Sequence, residues 1–306
     1  MPPTDGTAGS AGARPGAWGS VLTAQQLAAV SSAGFVPVGQ VFGAAVYAAG
    51  SASGAICPGP QAAGAATAGA QALSDPDIFA PLVQAMYQSR HAAIDRMAAE
   101  CAALGGHGVV GVRLSRTPYP LGGLAFTAIG TAVRATGTAA GPGTPARPGT
   151  PFTCDVSGQD FARLIKAGWV PAGLVLGIAV RARHDDRATT RQARVWSGNA
   201  EMAGWTELVN QSRRDARRGL EEEIRRLGAE GVVTADMRMR VRQRDCPVAT
   251  GRHDHIVEVT FTGTAIARFA AAEHDGADHG HSGPAMAVMA VMPLGLTAER
   301  PAGAAR

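Results

Sequence analysis

Cysteine is scarce in this chain, and its spacing excludes two common kinds of site. The four cysteines, Cys57, Cys101, Cys154 and Cys246, lie far apart and form no C-x-x-C pair. Zinc knuckles and thioredoxin-like redox motifs both depend on such close pairs. Because no basic start and apolar core of a signal peptide is visible either, we expect reduced thiols and a cytoplasmic location.

Long apolar runs, catalytic signatures and basic blocks are missing as well. No apolar run reaches the roughly 18 residues of a membrane span, so we expect no such span. The sequence has no P-loop, no G-x-S-x-G elbow and no H-E-x-x-H helix, which argues against an enzyme and leaves open only an active site at a subunit interface. The net charge is a modest +4. Without basic blocks and interleaved aromatic residues, we expect no nucleic-acid binding.

What the sequence does contain is a long internal repeat. Each copy opens its main helix with Gln-Ser-Arg, stops the helix at a glycine and continues into a Val-Val strand. Three blocks recur in the same order, which indicates a duplicated domain. The matching pairs are Leu27–Ala48 with Phe161–Ala182, Gln88–Leu114 with Gln211–Met239, and Gly130–Val133 with Gly263–Ile266.

The residue patterns inside each copy predict a two-layer α+β unit. Apolar residues at spacings of three and four predict a long amphipathic helix in each copy, with Cys101 and Leu104 on the buried stripe of the first. Phe35–Ala48 is expected to form one bent strand or two short ones, with Gly39 and Gly43 marking a bulge, a close backbone approach or a simple turn. The predicted order is strand–helix–strand–strand with a short helix in front, in two tandem units.

The composition divides the chain into five parts. Residues 1–20 are rich in Gly, Ala, Pro and Ser and are expected to be disordered, and residues 138–151 are a Gly/Pro linker. The two repeats are expected at residues 21–137 and 152–269. Residues 270–306 form a tail that begins with a His/Asp-rich stretch and continues with the apolar sequence PAMAVMAVMPLGL.

Several of these motifs resemble the YbjQ family, whose domains are labelled heavy-metal-binding. The resemblance is carried by GFVPVGQVFGAAVY, by the helix end ALGGHGVVGVRL and by the closing strand FTAIGTAVRA, each with a counterpart in the second copy. It implies small α/β units similar to those of dodecin, which assemble as pentameric rings. For a chain with two units, it implies a homopentamer with two stacked rings of domains and possible binding of a divalent transition metal ion.

Two clusters of residues are candidate metal sites. His253 and His255 form an H-x-H pair, which strand alternation would place on one face, and Cys246 lies on the same predicted hairpin connection, Gln243–Asp254. The alternative is an exposed polar turn. In the tail, His274, His279 and His281 could bind a metal ion without a preformed site, or belong to a plain polar linker. His107 and Glu230 occupy equivalent helix–strand turns, where either could ligate a metal or simply face solvent.

The apolar tail segment is a candidate docking peptide. Met286, Met289, Met292 and Leu294 would contact the chain's own ring or recruit a protein partner or larger assembly. The sequence therefore predicts a non-enzymatic, ring-forming protein with metal binding. The alternative is a structural or cargo-type protein that docks through its tail.

Overall fold

The computed structural model describes residues 19–48, 76–119, 123–136, 150–185, 187–192, 199, 201–246 and 251–268. Within these ranges both repeats have the expected architecture. The elements of the first repeat are α1 (Ala24–Ser32), β1 (Phe35–Ala48), a 3-10 turn (Pro76–Phe79), α2 (Ala80–Ala103), β2 (Gly108–Tyr119) and β3 (Gly123–Ala135).

The second repeat follows the same order with two additions. A short strand precedes it, and a short helix interrupts the segment between its first long strand and its main helix. Its elements are β4 (Phe152–Thr153), α3 (Gly158–Lys166), β5 (Trp169–His184), α4 (Arg187–Gln192), α5 (Ala203–Arg226), β6 (Gly231–Asp245) and β7 (His253–Arg268).

The two leading helices begin at matching caps. Thr23 accepts a hydrogen bond from the Gln26 backbone, and the Gln26 side chain bonds back to Thr23, which completes a capping box. Ser157 caps α3 by accepting a hydrogen bond from the Asp160 backbone, and its hydroxyl donates to the Asp160 carboxylate. Both helices end before a glycine with positive φ, Gly34 or Gly168, which the left-handed conformation favours.

Each repeat folds its sheet as an antiparallel meander, but the two sheets differ in strand number. The first has the order β1-β3-β2-β4 and the second has the order β5-β7-β6. Strand β4 pairs parallel with β2, with Gly108 opposite Phe152. The first strand of the second repeat thus joins the sheet of the first repeat. The domain boundary predicted at residue 152 does not anticipate this contribution of a strand.

Each main helix packs on the first strand of its own repeat at a glycine. A Cβ on Gly43 would lie 2.0 Å from the Ala93 carbonyl oxygen, and one on Gly177 would lie 2.1 Å from that of Ala216. The close approach expected at Gly43 is therefore confirmed. Phe35–Ala48 is one continuous strand with a register shift between Pro37 and Gly39, so the bulge is confirmed as well.

Helix α2 lies between the two sheets, so the repeats share hydrophobic packing. Met97 belongs to a buried cluster with Val41 of its own sheet and with Leu174 and Leu176 of the other repeat. Val175, which points to the other face of β5, packs with residues of α5. Cys101 is fully buried, as predicted for a small core residue.

Two local expectations are corrected by the structure. Leu104 is 45% exposed because it caps the helix end instead of continuing the buried stripe. His253 and His255 lie in β7, because β6 and β7 extend further toward their turn than the predicted connection Gln243–Asp254 allows. No described helix combines the length and apolar character needed to cross a membrane.

Candidate functional site

The outer edge of β5 is covered by side chains from both repeats. The Leu176 backbone N–H donates to Glu223 Oε2 at 2.7 Å, and the Ile178 N–H donates to the Tyr87 hydroxyl at 2.8 Å. His91 Nε2 lies 2.7 Å from Glu223 Oε1. Unpaired strand edges invite pairing with other chains, and here polar side chains of α2 and α5 occupy the edge donors.

Residue size makes this contact possible. Gly219 on α5 leaves room for Tyr87, because a Cβ there would lie 2.5 Å from the tyrosine hydroxyl oxygen. Burial raises the pKa of Tyr87 to about 12, so the hydroxyl stays neutral and accepts the Ile178 N–H. Glu223 is 6% exposed and also accepts a hydrogen bond from Arg226. The first repeat therefore covers the second through a defined polar contact.

Among the residues that the structure describes, none gives the equivalent edge of the first repeat, on β1, such a cover. Glu100 aligns with Glu223 and makes the same hydrogen bond, to the Phe42 N–H at 2.6 Å. Phe42 and Val46 are nevertheless 49% and 52% exposed. Arg96 stands where the second repeat has Gly219, and it bonds to the Ala44 carbonyl. We name Phe42, Val46 and Glu100 the open edge.

The second repeat exposes the positions that correspond to Tyr87 and His91 of the first. Asn210 and Arg214 on α5 align with Tyr87 and His91 on α2, and both are exposed. Within the described part of the chain, strand β6 is a sheet edge, and no strand pairs with it as β4 pairs with β2. It exposes Met237, Met239 and Val241 by 42–55%. We name Asn210, Arg214 and β6 the open face.

A separate cluster of metal-ligand types lies at the far end of the second sheet. One ligand atom from each of His184, Cys246 and Asp254 lies within 4.8 Å of the others, and no second such trio occurs among the residues that the structure describes. Asp254 is fully buried, and Cys246 is 7% exposed. Strand pairing places His184 opposite Asp254, and Cys246 follows the end of β6.

The donor set suits a borderline divalent transition metal ion. Thiolate, imidazole and carboxylate are the ligands that zinc takes at distances of about 2.0–2.3 Å. His184 Nδ1 and Asp254 Oδ1 are 2.9 Å apart and would exchange their hydrogen bond for metal bonds, while Arg244 holds Oδ2 at 3.2 Å. Because the thiol and the imidazole must lose protons to bind, metal affinity would rise with pH.

The histidines predicted from the sequence are engaged elsewhere. His253 Nδ1 lies 3.0 Å from Asp245 Oδ1, and His255 Nε2 lies 3.0 Å from Asp185 Oδ1. Cys246 thus meets His184 and Asp254 instead of the H-x-H pair. The tail candidates His274, His279 and His281, and the docking residues Met286, Met289, Met292 and Leu294, lie outside the described residues.

His107 and Glu230 have a shared backbone role. His107 Nδ1 accepts from the Ala135 N–H at 3.2 Å, and Glu230 Oε1 accepts from the Arg268 N–H at 3.1 Å. These two bonds tie the helix–strand turn of each repeat to the end of its last strand. Different residue types therefore perform one structural task.

Sequence reasoning missed His184 and Asp254. The repeated block ends at Ala182, two residues before His184, and Asp254 is only the middle residue of the H-x-H pattern. The available signal was that both residues, like Cys246, lie at the same end of three strands that pair side by side.

Comparison with known proteins agrees with the duplication. The YbjQ family profile, described as "Putative heavy-metal-binding", matches residues 79–136 and 170–268. The chain belongs to the YbjQ family. The Encapsulin nanocompartment protein Rv1762c of Mycobacterium tuberculosis is 34% identical over 259 residues, which cover 83% of this chain and 87% of that protein. The family resemblance and the tandem α+β architecture predicted from the sequence are confirmed.

Proposed function

We propose that this YbjQ protein is a non-enzymatic assembly protein whose copies join head to tail, open edge against open face. The observation that carries the proposal is the unequal cover of equivalent positions. Leu176 is fully buried by the other repeat, whereas its counterpart Phe42 is 49% exposed. A second copy can cover β1 with its α5 as α2 covers β5 within one chain.

The internal contact specifies the expected residue pairs. His91 meets Glu223 within the chain, so Arg214 of one copy would meet Glu100 of the next. Within one chain, the large Tyr87 faces the small Gly219. Between two copies, the smaller Asn210 would face the larger Arg96, so the sizes are reversed at both positions. The two candidate surfaces thus match in charge and in size.

A head-to-tail contact closes into a ring when its rotation divides a full turn. Continued through this contact, the repeats would alternate around one ring with an even number of domains. The two stacked five-domain rings implied by the family resemblance would instead join the repeats of one chain across rings. Native mass spectrometry gives the number of chains, and electron microscopy distinguishes the two arrangements.

Charge reversal tests the interface. Glu100→Arg or Arg214→Glu should each weaken association about tenfold or more, because like charges would face each other in a desolvated contact. The double variant should regain assembly. The measurement is light scattering after size exclusion over a range of protein concentrations.

Arg163→Glu, on the exposed face of α3, serves as the control and should assemble normally. A natural protein that stays monomeric at high concentration would overturn the proposal. So would a double variant that assembles no better than either single variant.

The relative's name adds a context for such an assembly. We propose that this chain also associates with an encapsulin-type nanocompartment, and that Met286, Met289, Met292 and Leu294 dock there. Coexpression with a shell protein from the same genome should give copurification that is lost on deletion of residues 284–306. Rings that form normally but copurify equally well without the tail would contradict the tail's role.

A second candidate function, metal-ion binding, is favoured by the trio His184, Cys246 and Asp254. The protein would hold a zinc-like ion through one atom of each side chain, with Arg244 orienting the carboxylate. Titration with Co(II) should produce a thiolate-to-metal absorption band in the purified protein.

Paired variants separate this trio from the histidines expected from the sequence. His184→Gln and Cys246→Ser should abolish the Co(II) band, whereas His253→Gln should leave it unchanged. A band lost in His253→Gln and retained in His184→Gln would restore the original assignment. If the native protein shows no Co(II) band, both assignments of the metal site are wrong.

A further inference from the structure

A cavity of about 290 Å³ lies between the two repeats, away from both the open edge and the metal trio. Its walls come from α2, β2 and β3 on one side and from β6 and β7 on the other. Five arginines line it, against three carboxylates. The lining arginines are Arg90, Arg113, Arg116, Arg238 and Arg240, and the carboxylates are those of Asp155, Asp236 and Glu258.

Two of the three carboxylates are held in ion pairs, and the third belongs to Asp155, whose buried Oδ2 has no hydrogen-bond partner among the residues that the structure describes. Arg116 reaches across the repeats to Glu258 at 2.7 Å, and Arg238 pairs with Asp236 at 2.5 Å. Asp155 Oδ1 accepts a hydrogen bond from the Thr264 hydroxyl at 2.5 Å. Among the residues that the structure describes, none of these acids forms an ion pair with Arg90 or Arg240.

Arg90 is the decisive residue, because it is a buried cation that forms no direct ion pair with any residue that the structure describes. It is only 8% exposed, donates one hydrogen bond to the Met86 carbonyl at 3.3 Å, and lies 4.7 Å from the centre of the Phe126 ring. Burial lowers its pKa to about 10, and the charge of Glu258 opposes that shift. Burying a charge that has only one hydrogen bond and no ion pair is costly, so an anionic ligand bound to this guanidinium would be stabilised.

We propose that this cavity binds a small oxyanion of the phosphate class, held by Arg90 and Arg240. Guanidinium groups match phosphate oxygens in pairs of parallel hydrogen bonds. The Thr127, Thr260 and Thr262 side chains on the lining offer hydroxyl donors for further oxygens. The volume suits inorganic phosphate or a small phosphate ester and excludes a nucleic-acid strand.

The position of the cavity assigns the ligand a role. Arg90 belongs to the first repeat and Arg240 to the second, so a shared anion would bind the two repeats together. Because Arg240 lies on β6, which is part of the open face, the oligomeric state of each variant is measured beside its phosphate binding, so that loss of binding is distinguished from loss of assembly.

The test uses the full chain with inorganic phosphate and with glycerol 3-phosphate as separate probes. Calorimetric titration should give saturable binding, and phosphate should raise the melting temperature of the native protein. Arg240→Gln, at the exposed rim, should weaken binding about tenfold or more. Arg217→Gln, an exposed α5 variant outside the cavity, should bind as the native protein does.

Arg90→Met tests two quantities, the melting temperature without ligand and the response of that temperature to phosphate. Without its ligand, this variant should melt at the same temperature as the native protein or higher, because an unpaired buried charge has been removed, and phosphate should no longer raise that temperature. Tighter binding of the ester than of phosphate would identify an organic phosphate as the ligand. Absence of binding by the native protein, or unchanged binding in Arg240→Gln, would overturn the proposal.

Discussion

Glu100 and Glu223 occupy equivalent positions, accept the same backbone hydrogen bond and have opposite surroundings. Each accepts the N–H of an edge-strand residue, Phe42 in the first repeat and Leu176 in the second. Glu100 faces solvent, whereas Glu223 is buried beneath α2. Both repeats therefore form this hydrogen bond as part of their own fold. The two glutamates differ in burial because the neighbouring repeat covers only Glu223.

At the other edge of each sheet, the first repeat is the covered one and the second repeat is the exposed one. Strand β2 of the first repeat is completed by β4, while β6 of the second repeat exposes Met237, Met239 and Val241. Each repeat thus has one covered and one uncovered edge, and the covers are exchanged between them. In the proposed head-to-tail assembly, the uncovered edge of one copy would meet the uncovered edge of the next.

The largest expected effect concerns the close helix–strand contact that both repeats form at a glycine. Gly43→Ala and Gly177→Ala should each lower the free energy of unfolding by about 3 kcal/mol, because the new methyl meets a helix carbonyl oxygen at 2.0 or 2.1 Å. Urea unfolding at one fixed protein concentration gives both values. Gly231→Ala, where the nearest atom would be 3.6 Å away, is the control and should cost much less. A mild loss at one glycine and a severe loss at the other would show that the helix contacts are not equivalent.

The second-largest expected effect tests the different burial of Glu223 and Glu100. Glu223→Ala should cost about 2–3 kcal/mol, because it leaves the Leu176 N–H and His91 without their buried acceptor. Glu100→Ala should cost about 0.5 kcal/mol or less in the dissociated chain, because water can reach the Phe42 N–H. Urea unfolding under dissociating dilution compares the two. Equal losses would mean that cover by the neighbouring repeat contributes nothing to this bond.

Sequence patterns predicted the parts of this comparison that are local. The duplicated helices, the strands and the glycine contacts all follow from periodicity and from the matching of Gly43 with Gly177. The exchange of β4, the cover of β5 by Tyr87 and the meeting of His184 with Cys246 do not. These contacts join residues some 45 to 90 positions apart, and their geometry depends on how one repeat docks on the other.

A pH effect of intermediate size should distinguish the two repeats. Asp155 aligns with Val21 of the first repeat, and burial raises its pKa from 3.8 to about 6, against the hydrogen bond from Thr264. The folded chain holds this proton more tightly than the unfolded chain, so the free energy of unfolding should fall as the pH rises from about 4 to about 6. The fall attributable to Asp155 should be about 1–2 kcal/mol.

Asp155→Asn isolates this contribution. The difference in free energy of unfolding between the native protein and the variant should change across that pH window and level off above it. Asp160→Asn, an exposed change on α3, provides the control. A difference that stays constant between pH 4 and pH 7 would contradict a raised pKa at Asp155.

The smallest expected effect concerns the hydroxyl that links the repeats. Tyr87→Phe removes the acceptor of the Ile178 N–H without changing the packing of the ring, and it should cost about 1 kcal/mol. Tyr47→Phe is the matched control in the first repeat, since Tyr47 is only partly buried and should be nearly neutral. Hydrogen exchange gives a residue-specific measurement, because protection of the Ile178 amide should fall while that of Leu176 persists. If both amides lose protection equally, α2 has moved away from the edge, and the tyrosine hydroxyl holds the two repeats together rather than satisfying one donor.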